Sequence, residues 1–400
     1  MWNGSQQLII MNESIKRIVL LYADTGGGHR ATAQAIAAAL HELRGSDAGV
    51  ELVNATPYMP MPYNLAERVY PFAIAHTRLG YAAFWHITNN RSYTLAARAS
   101  MEISGRRSIT RFFAEHPADV YVSCHPMVNQ MLPGVASQMF PNTPFLAVVS
   151  DMVTVHALFW SEHITHITVP TQQARALAIR RGINADRISV TGQPVLPDFA
   201  ERVERAHGRR DELGLDPNAF TVLLMGGGDG MGRLTQTAYA LANSGLPIQL
   251  VVLCGRNEQA RIDLSAAGIH AVGFTNRVPE YMGAADMLVT KAGPGAICEA
   301  FVAGLPIALY DAVPGQESGN VDLVTTSGAG TWCPQPHEVV TQVERWLHDP
   351  GARYAAACAS RAQAQPDAAL NVAHIILQHA KSHSQERINQ LEYHEGMEFC

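Results

Sequence analysis

The chain has no apolar run approaching the roughly twenty residues that a membrane-spanning helix needs, so any membrane contact is expected to be peripheral. Charge is sparse: Asp, Glu, Lys and Arg make up 16% of 400 residues, and the formal net charge is -6. That balance argues against a nucleic-acid partner, whose phosphates demand clustered cations. Cysteine is scarce too. Cys124, Cys254, Cys298, Cys333, Cys358 and Cys400 show no paired spacing, which excludes a CxxC zinc site or a disulfide framework and suits a reducing cytoplasm. Residues 1–11 carry an apolar patch without a basic start or a small-residue cleavage site, so no secretory signal is expected.

What is present points to two domains, since 400 residues exceed one ordinary core. Short apolar runs at 15–23, 50–55, 120–123, 145–150, 164–169 and 187–190 read as strands, with helix-length segments such as 29–43 and 171–181 between them. The alternation restarts with strands expected at 220–225, 248–253, 270–272, 287–289 and 307–309. The polar stretch 194–216 divides the two series as a linker plus a first helix. Fully apolar strands separated by helices make a parallel sheet covered on both faces. The expected fold is therefore α/β, with two doubly wound Rossmann-like domains, residues 1–200 and 201–380, a cleft between them, and a polar tail at 381–400.

Thirty-two glycines cluster after these strands. Ala23-Asp24-Thr25-Gly26-Gly27-Gly28-His29-Arg30 follows the first strand. Its glycines permit a sharp turn and close approach of a ligand, and a helix N-terminus follows. His29 there is either a neutral-pH base facing the crevice or a helix-capping histidine. Gly226-Gly227-Gly228-Asp229-Gly230-Met231-Gly232 opens the second series in the same way, and its amides suit a diphosphate; a tight structural turn explains it nearly as well. Lys291-Ala292-Gly293-Pro294-Gly295-Ala296-Ile297-Cys298-Glu299 again follows a strand and leads into a helix expected from about Ala296. Glu299 suits the two hydroxyls of a ribose, or a helix dipole; Lys291 suits phosphate. Pro314-Gly315-Gln316-Glu317-Ser318-Gly319-Asn320 brings polar groups to the carboxyl edge of the sheet, for sugar hydroxyls or for a capped helix start. In the first half, Cys124-His125-Pro126 and Ser150-Asp151 end strands that should open on the same cleft. Asp151 is placed to orient His29 or to bind an acceptor, while His125 and His156 are equally ordinary loop residues.

Segment 57–90 breaks the pattern. It gathers Tyr58, Met59, Met61, Tyr63, Tyr70, Phe72, Tyr81, Phe84 and Trp85, and the next stretch holds Arg91, Arg98, Arg106, Arg107 and Arg111 against one acid, Glu102. One reading is a helical insertion packed on its own domain. The other is an amphipathic surface meeting anionic lipid, where each arginine adds roughly 1 kcal/mol.

In their order, Thr25-Gly26-Gly27-Gly28-His29-Arg30-Ala31, Lys291-Ala292-Gly293-Pro294-Gly295 and Pro314-Gly315-Gln316-Glu317-Ser318-Gly319-Asn320 resemble the monogalactosyldiacylglycerol synthase family, within glycosyltransferase family 28, from about residue 16 to 373. The resemblance implies a GT-B fold with the active site in the inter-domain cleft. It implies inverting transfer of a hexose, galactose rather than glucose, from a UDP-sugar to the 3-hydroxyl of 1,2-diacylglycerol. UDP-galactose or UDP-glucose, diacylglycerol and an anionic membrane surface are the implied partners, on the cytoplasmic side of the cell membrane. No cofactor or metal is implied, in keeping with the absence of an Asp-x-Asp pair. By the same likeness His29 is the base, helped by Asp151. Uracil lies near Phe274 and Val278, Glu299 holds the ribose, and Gly227, Gly228, Gly293, Pro294 and Gly295 face the diphosphate. Gln316, Glu317 and Asn320 read the hexose, and Gly28 is counted with the donor-binding residues, although the other glycine loops leave its turn free for the acceptor side. The transit extension of many plant members is missing, which favours a bacterial enzyme. The rival readings are a UDP-sugar transferase to another lipid, a UDP-N-acetylglucosamine 2-epimerase on the same architecture, and a nucleotide-sugar-binding protein without catalysis.

Overall fold

The computed structural model describes residues 17–25, 27–45, 49–69, 72, 77–230 and 232–381. The readings of residues 1–11 and of the tail beyond 381 lie outside them, as do Gly26, Tyr70 and Met231.

The first sheet holds β1 (Ile18–Tyr22), β2 (Val50–Asn54), β3 (Val120–Ser123), β4 (Phe145–Val148), β5 (His166–Val169) and β6 (Ile188–Val190). The second holds β7 (Phe220–Met225), β8 (Ile248–Leu253), β9 (His270–Val272), β10 (Met287–Lys291), β11 (Ile307–Asp311) and β12 (Gly330–Trp332). The strand orders are β2-β1-β3-β4-β5-β6 and β12-β11-β10-β7-β8-β9, and every pairing is parallel.

The apolar strands follow from two-sided burial. In β1, Ile18 and Leu20 face one core while Val19 and Leu21 face the other. In β7, Val222 and Leu224 alternate in the same way with Leu223 and Met225, as the period of two requires. The helix Gly28–Arg44 buries Ala33, Ala37 and Leu40, spaced to form one stripe, against β1 and β3.

Two expectations are corrected. The second sheet has a sixth strand, β12, at its edge; three residues beginning with glycine carry no apolar run by which to be read. The division at residue 380 also fails at its end. The closing helix, residues 368–381, sends Ala369, Val372, Ala373, Ile376 and Ala380 into the core of the first sheet beside Ile18, Leu20 and Ile36. The chain thus crosses between the domains twice, after β6 and again before residue 368.

In each sheet the strand order reverses once, between β1 and β3 and between β7 and β10. Such points open a crevice at the carboxyl ends of the strands. The turns after β1 and β3 therefore lie at one such crevice and those after β7 and β10 at the other, and the two crevices meet across the domains.

Candidate active site

The cleft has a cavity of about 180 Å³ whose walls come from both domains. Thr25, Gly28, His29, Ser150 and Asp151 line it from the first domain, and Lys291, Pro294, Gly295, Glu299, Gln316 and Glu317 from the second. All eleven belong to motifs singled out in the sequence.

The turn after β1 reverses at Gly27, whose φ of 81° lies in the left-handed region that favours glycine. The helix Gly28–Arg44 starts at once, with its N-terminus at the cleft. His29, half-buried on its first turn, has Nδ1 3.0 Å from Ser150 Oγ. Its ring meets that of His125 edge-on, with centroids 4.7 Å apart. Burial holds the His29 pKa down to about 4, against the opposing pull of a hydrogen bond to the Cys124 backbone. The ring is therefore neutral near pH 7, the state that accepts a proton. Burial and the neighbouring His29 push His125 well below its usual range as well; its Nε2 lies 3.2 Å from Thr25 Oγ1.

The expected Asp151–His29 contact is corrected: the neighbouring Ser150 takes it. Past the end of β4, successive side chains turn to opposite sides, so Ser150 meets the histidine and Asp151 turns to the second domain. There Asp151 Oδ1 accepts from Gln316 Nε2 at 3.3 Å. Burial raises the Asp151 carboxyl to about 7, opposed by the Gln316 hydrogen bond and reinforced by the Glu317 charge. His156 is structural. It accepts from the Leu158 amide and meets Thr88 Oγ1 at 3.1 Å.

On the second domain, the turn after β7 is held tight: a Cβ at Gly230, where φ is 57°, would run into the Cys254 carbonyl. Beside it, Lys291 Nζ donates to Glu317 Oε1 at 2.7 Å, and Glu317 Oε2 accepts from the Val313 amide at 2.8 Å. Lys291 also packs on Gly227 and Gly293, where a Cβ at either would stand 3.1 Å from its side chain. The cation expected at phosphate thus braces three loops. The helix after β10 starts at Pro294, two residues before the expected Ala296, because proline suits the first helical position. Glu299 lies farther along that helix, and burial lifts its carboxyl to about 7. Asn320, expected at the hexose, is buried and donates to the Ala292 carbonyl at 2.9 Å. Val278 opens the helix Val278–Ala284 and packs on the second core.

Arg256 escaped the sequence reading. It pairs with Asp229 at 2.7 Å and lies over the Phe274 ring at 5.7 Å. From the second domain its guanidinium also reaches the first glycine turn, where a Cβ at Gly27 would stand 3.3 Å away. A lone arginine after β8 gives no local pattern; the signal was its place at the carboxyl end of a strand in the same sheet.

Segment 57–90 has two faces. The helix Arg78–Thr88 turns Trp85 inward, while Leu79, Phe84 and Ile87 are 86, 57 and 70% exposed. On the long helix Arg91–Glu115, Ile103 is 80% exposed and precedes Arg106 and Arg107. Among the described residues no helix is long and apolar enough to cross a membrane.

Two family models match the chain, one for monogalactosyldiacylglycerol (MGDG) synthase over residues 29–195 and one for the glycosyltransferase family 28 C-terminal domain over residues 221–372. The chain is 35% identical over 378 residues to the chloroplastic monogalactosyldiacylglycerol synthase of Spinacia oleracea, covering 90% of this chain and 72% of that one. It is 34% identical to monogalactosyldiacylglycerol synthase 3 of Arabidopsis thaliana, covering 84% and 75%. Among solved structures, MurG of Acinetobacter baumannii superposes with a TM-score of 0.56 at 16% identity, covering 90% of this chain and 99% of that one. The UDP-GlcNAc 2-epimerase of Neisseria meningitidis gives 0.60 at 11%, covering 90% and 100%. These last two speak to the shared two-domain GT-B architecture alone. With the glycine turns, the histidine and the Lys291–Asn320 loops gathered at one cleft, and with relatives matched along most of the chain, this protein belongs to the monogalactosyldiacylglycerol synthase family of glycosyltransferases.

Proposed function

We propose that the protein transfers galactose from UDP-galactose to the 3-hydroxyl of 1,2-diacylglycerol, with inversion, at the cytoplasmic face of a membrane. The observation that carries this reading is a neutral His29 on the acceptor wall of a cleft whose opposite wall presents Lys291, Glu299, Gln316 and Glu317. The hydroxyl oxygen attacks the anomeric carbon as His29 takes its proton, and the bond from that carbon to the diphosphate oxygen breaks on the opposite face. Ser150 orients the imidazole. The N-terminus of the helix Pro294–Ala303 and the amides of the Gly227–Gly228 turn stabilise the departing diphosphate. Arg256 adds positive charge beside that turn, Glu299 accepts from the ribose hydroxyls, uracil lies by Phe274 and Val278, and Gln316 and Glu317 meet the hexose. Galactose is favoured over glucose by the naming of the relatives. The experiment offers UDP-galactose and UDP-glucose side by side to the enzyme on diacylglycerol vesicles. Monogalactosyldiacylglycerol with a β-linkage is expected; UDP-N-acetylglucosamine converted to its manno epimer, with no glycolipid formed, would refute the proposal.

The outward face of Leu79, Phe84 and Ile87, with Arg106, Arg107 and Arg111 of the following helix, is the proposed lipid contact. A side chain of this size is worth about 1.5–3 kcal/mol when fully buried, and interfacial immersion is partial. Changing all three to serine is therefore expected to weaken co-sedimentation with anionic vesicles by about tenfold. Unchanged co-sedimentation would place the membrane contact elsewhere.

A further inference from the structure

The helix Arg78–Thr88 belongs to the first domain, yet its inward face meets the second. Arg78, Tyr81 and Trp85 stand three and four residues apart and so share one side. Arg78 Nη2 donates to Asp311 Oδ1 at 2.5 Å and to the Ala312 carbonyl at 2.6 Å. Trp85 covers Gly315, where a Cβ would stand 3.0 Å from the indole. Tyr81 Oη donates to Gln316 Oε1 at 2.9 Å. Gln316 is also held from another side: its Nε2 donates to Asp151 and its backbone carbonyl accepts from Thr154 Oγ1 at 2.6 Å.

A carboxamide presents an acceptor and a donor that a half-turn of its last torsion exchanges. The exchange would turn the Gln316 oxygen from the Tyr81 hydroxyl to the Asp151 carboxyl and its NH₂ from Asp151 to Tyr81, so both present hydrogen bonds would have to be broken and remade. Tyr81 and Asp151 together therefore favour the observed orientation, each holding one end of the amide. That matters for a group on the cleft wall, because a hydroxyl reader discriminates between epimers only when it cannot turn to suit either.

We propose that Tyr81 is a positioning residue for the donor hexose: acting through Gln316, it sets the affinity for the sugar and the preference between hexoses that differ at one hydroxyl. This rests on the UDP-hexose reading above. The helix facing lipid on one side thereby fixes the sugar reader on the other.

The test is calorimetric titration of UDP, UDP-galactose and UDP-glucose into the full-length protein and into Tyr81→Phe, Gln316→Ala and the double variant. Tyr81→Phe is expected to leave UDP affinity within about twofold and to weaken UDP-galactose about fivefold, the worth of one neutral hydrogen bond. The galactose-to-glucose ratio should shrink by a similar factor. In the Gln316→Ala background, Tyr81→Phe should cost nothing further, since the two act as one unit. Equal losses for UDP and UDP-galactose, additive losses in the double variant, or no loss at all would each overturn the positioning role. A wild-type protein that binds UDP-hexose no better than an unrelated nucleotide would instead strike the donor reading on which the proposal rests.

Discussion

Replacing His29 with alanine is expected to lower turnover by about 10²–10⁴-fold, the usual worth of a positioned general base, while UDP binding changes little. The groups proposed for the donor sit on the other domain, and His29 meets Ser150 within its own. The loss should therefore appear in kcat rather than in donor affinity. The pH profile carries a second check. With its pKa held down to about 4, His29 is in its basic form at every pH above about 5 and contributes no limb between pH 5 and 8. A rise in activity through pH 7 belongs instead to the carboxyls of Asp151 and Glu299, both lifted to about 7 by burial, which ionise as the pH climbs past that value. Glu299→Gln should remove its share of that rise. A folded His29→Ala protein with near-normal turnover, or a limb near 7 that vanishes only in that variant, would remove His29 from the base role.

Lys291→Met is expected to cost about 3–5 kcal/mol of stability, the range for breaking a buried ion pair from one side. Glu317 is almost wholly enclosed, and Lys291 is the ammonium that neutralises it at 2.7 Å. Removing the cation leaves a buried carboxylate with a single amide donor, from Val313. The second change, Glu317→Gln, should restore most of the loss, because a neutral amide still accepts from that donor and leaves no charge unpaired. Urea denaturation of the wild type and the two variants reads both steps. A loss below about 1 kcal/mol for Lys291→Met would mean that solvent reaches the pair and screens it as at a surface.

What the sequence showed and hid follows from how far each feature depends on neighbours in the chain. Two-sided burial writes itself into β1 and β7 as apolar runs, and the turns after β1, β7 and β10 announce themselves by clustered glycines, of which Gly27, Gly227 and Gly230 hold positive φ. The convergence on one cleft was legible because parallel sheets put all strand ends on one side. Contacts made across space were not. Nothing near Asp151 says that it turns to Gln316 while Ser150 takes the histidine; that depends on a single step of strand alternation. Arg256 has no companion motif. The helix Arg78–Thr88 carries enough aromatics to signal a surface, but its composition does not say that Trp85 is spent on Gly315 while Phe84 faces outward. The placing of Asn320 and Lys291 is similar: polar residues at a sheet edge look like ligand groups, and here they also hold the loops that form the wall.

The closing helix gives the polypeptide an order of assembly. Ile18, Leu20 and Ile36 are made long before Val372 and Ile376, which share their core. On the ribosome the amino-terminal half must wait, with that flank of its sheet covered only in part by the helix Gly28–Arg44, until the carboxyl-terminal half has been synthesised and has delivered the closing helix. His29 is thus seated on a unit that is completed only once the second domain has been made, and a protein cut short near residue 367 is expected to lose stability in the half it appears to keep.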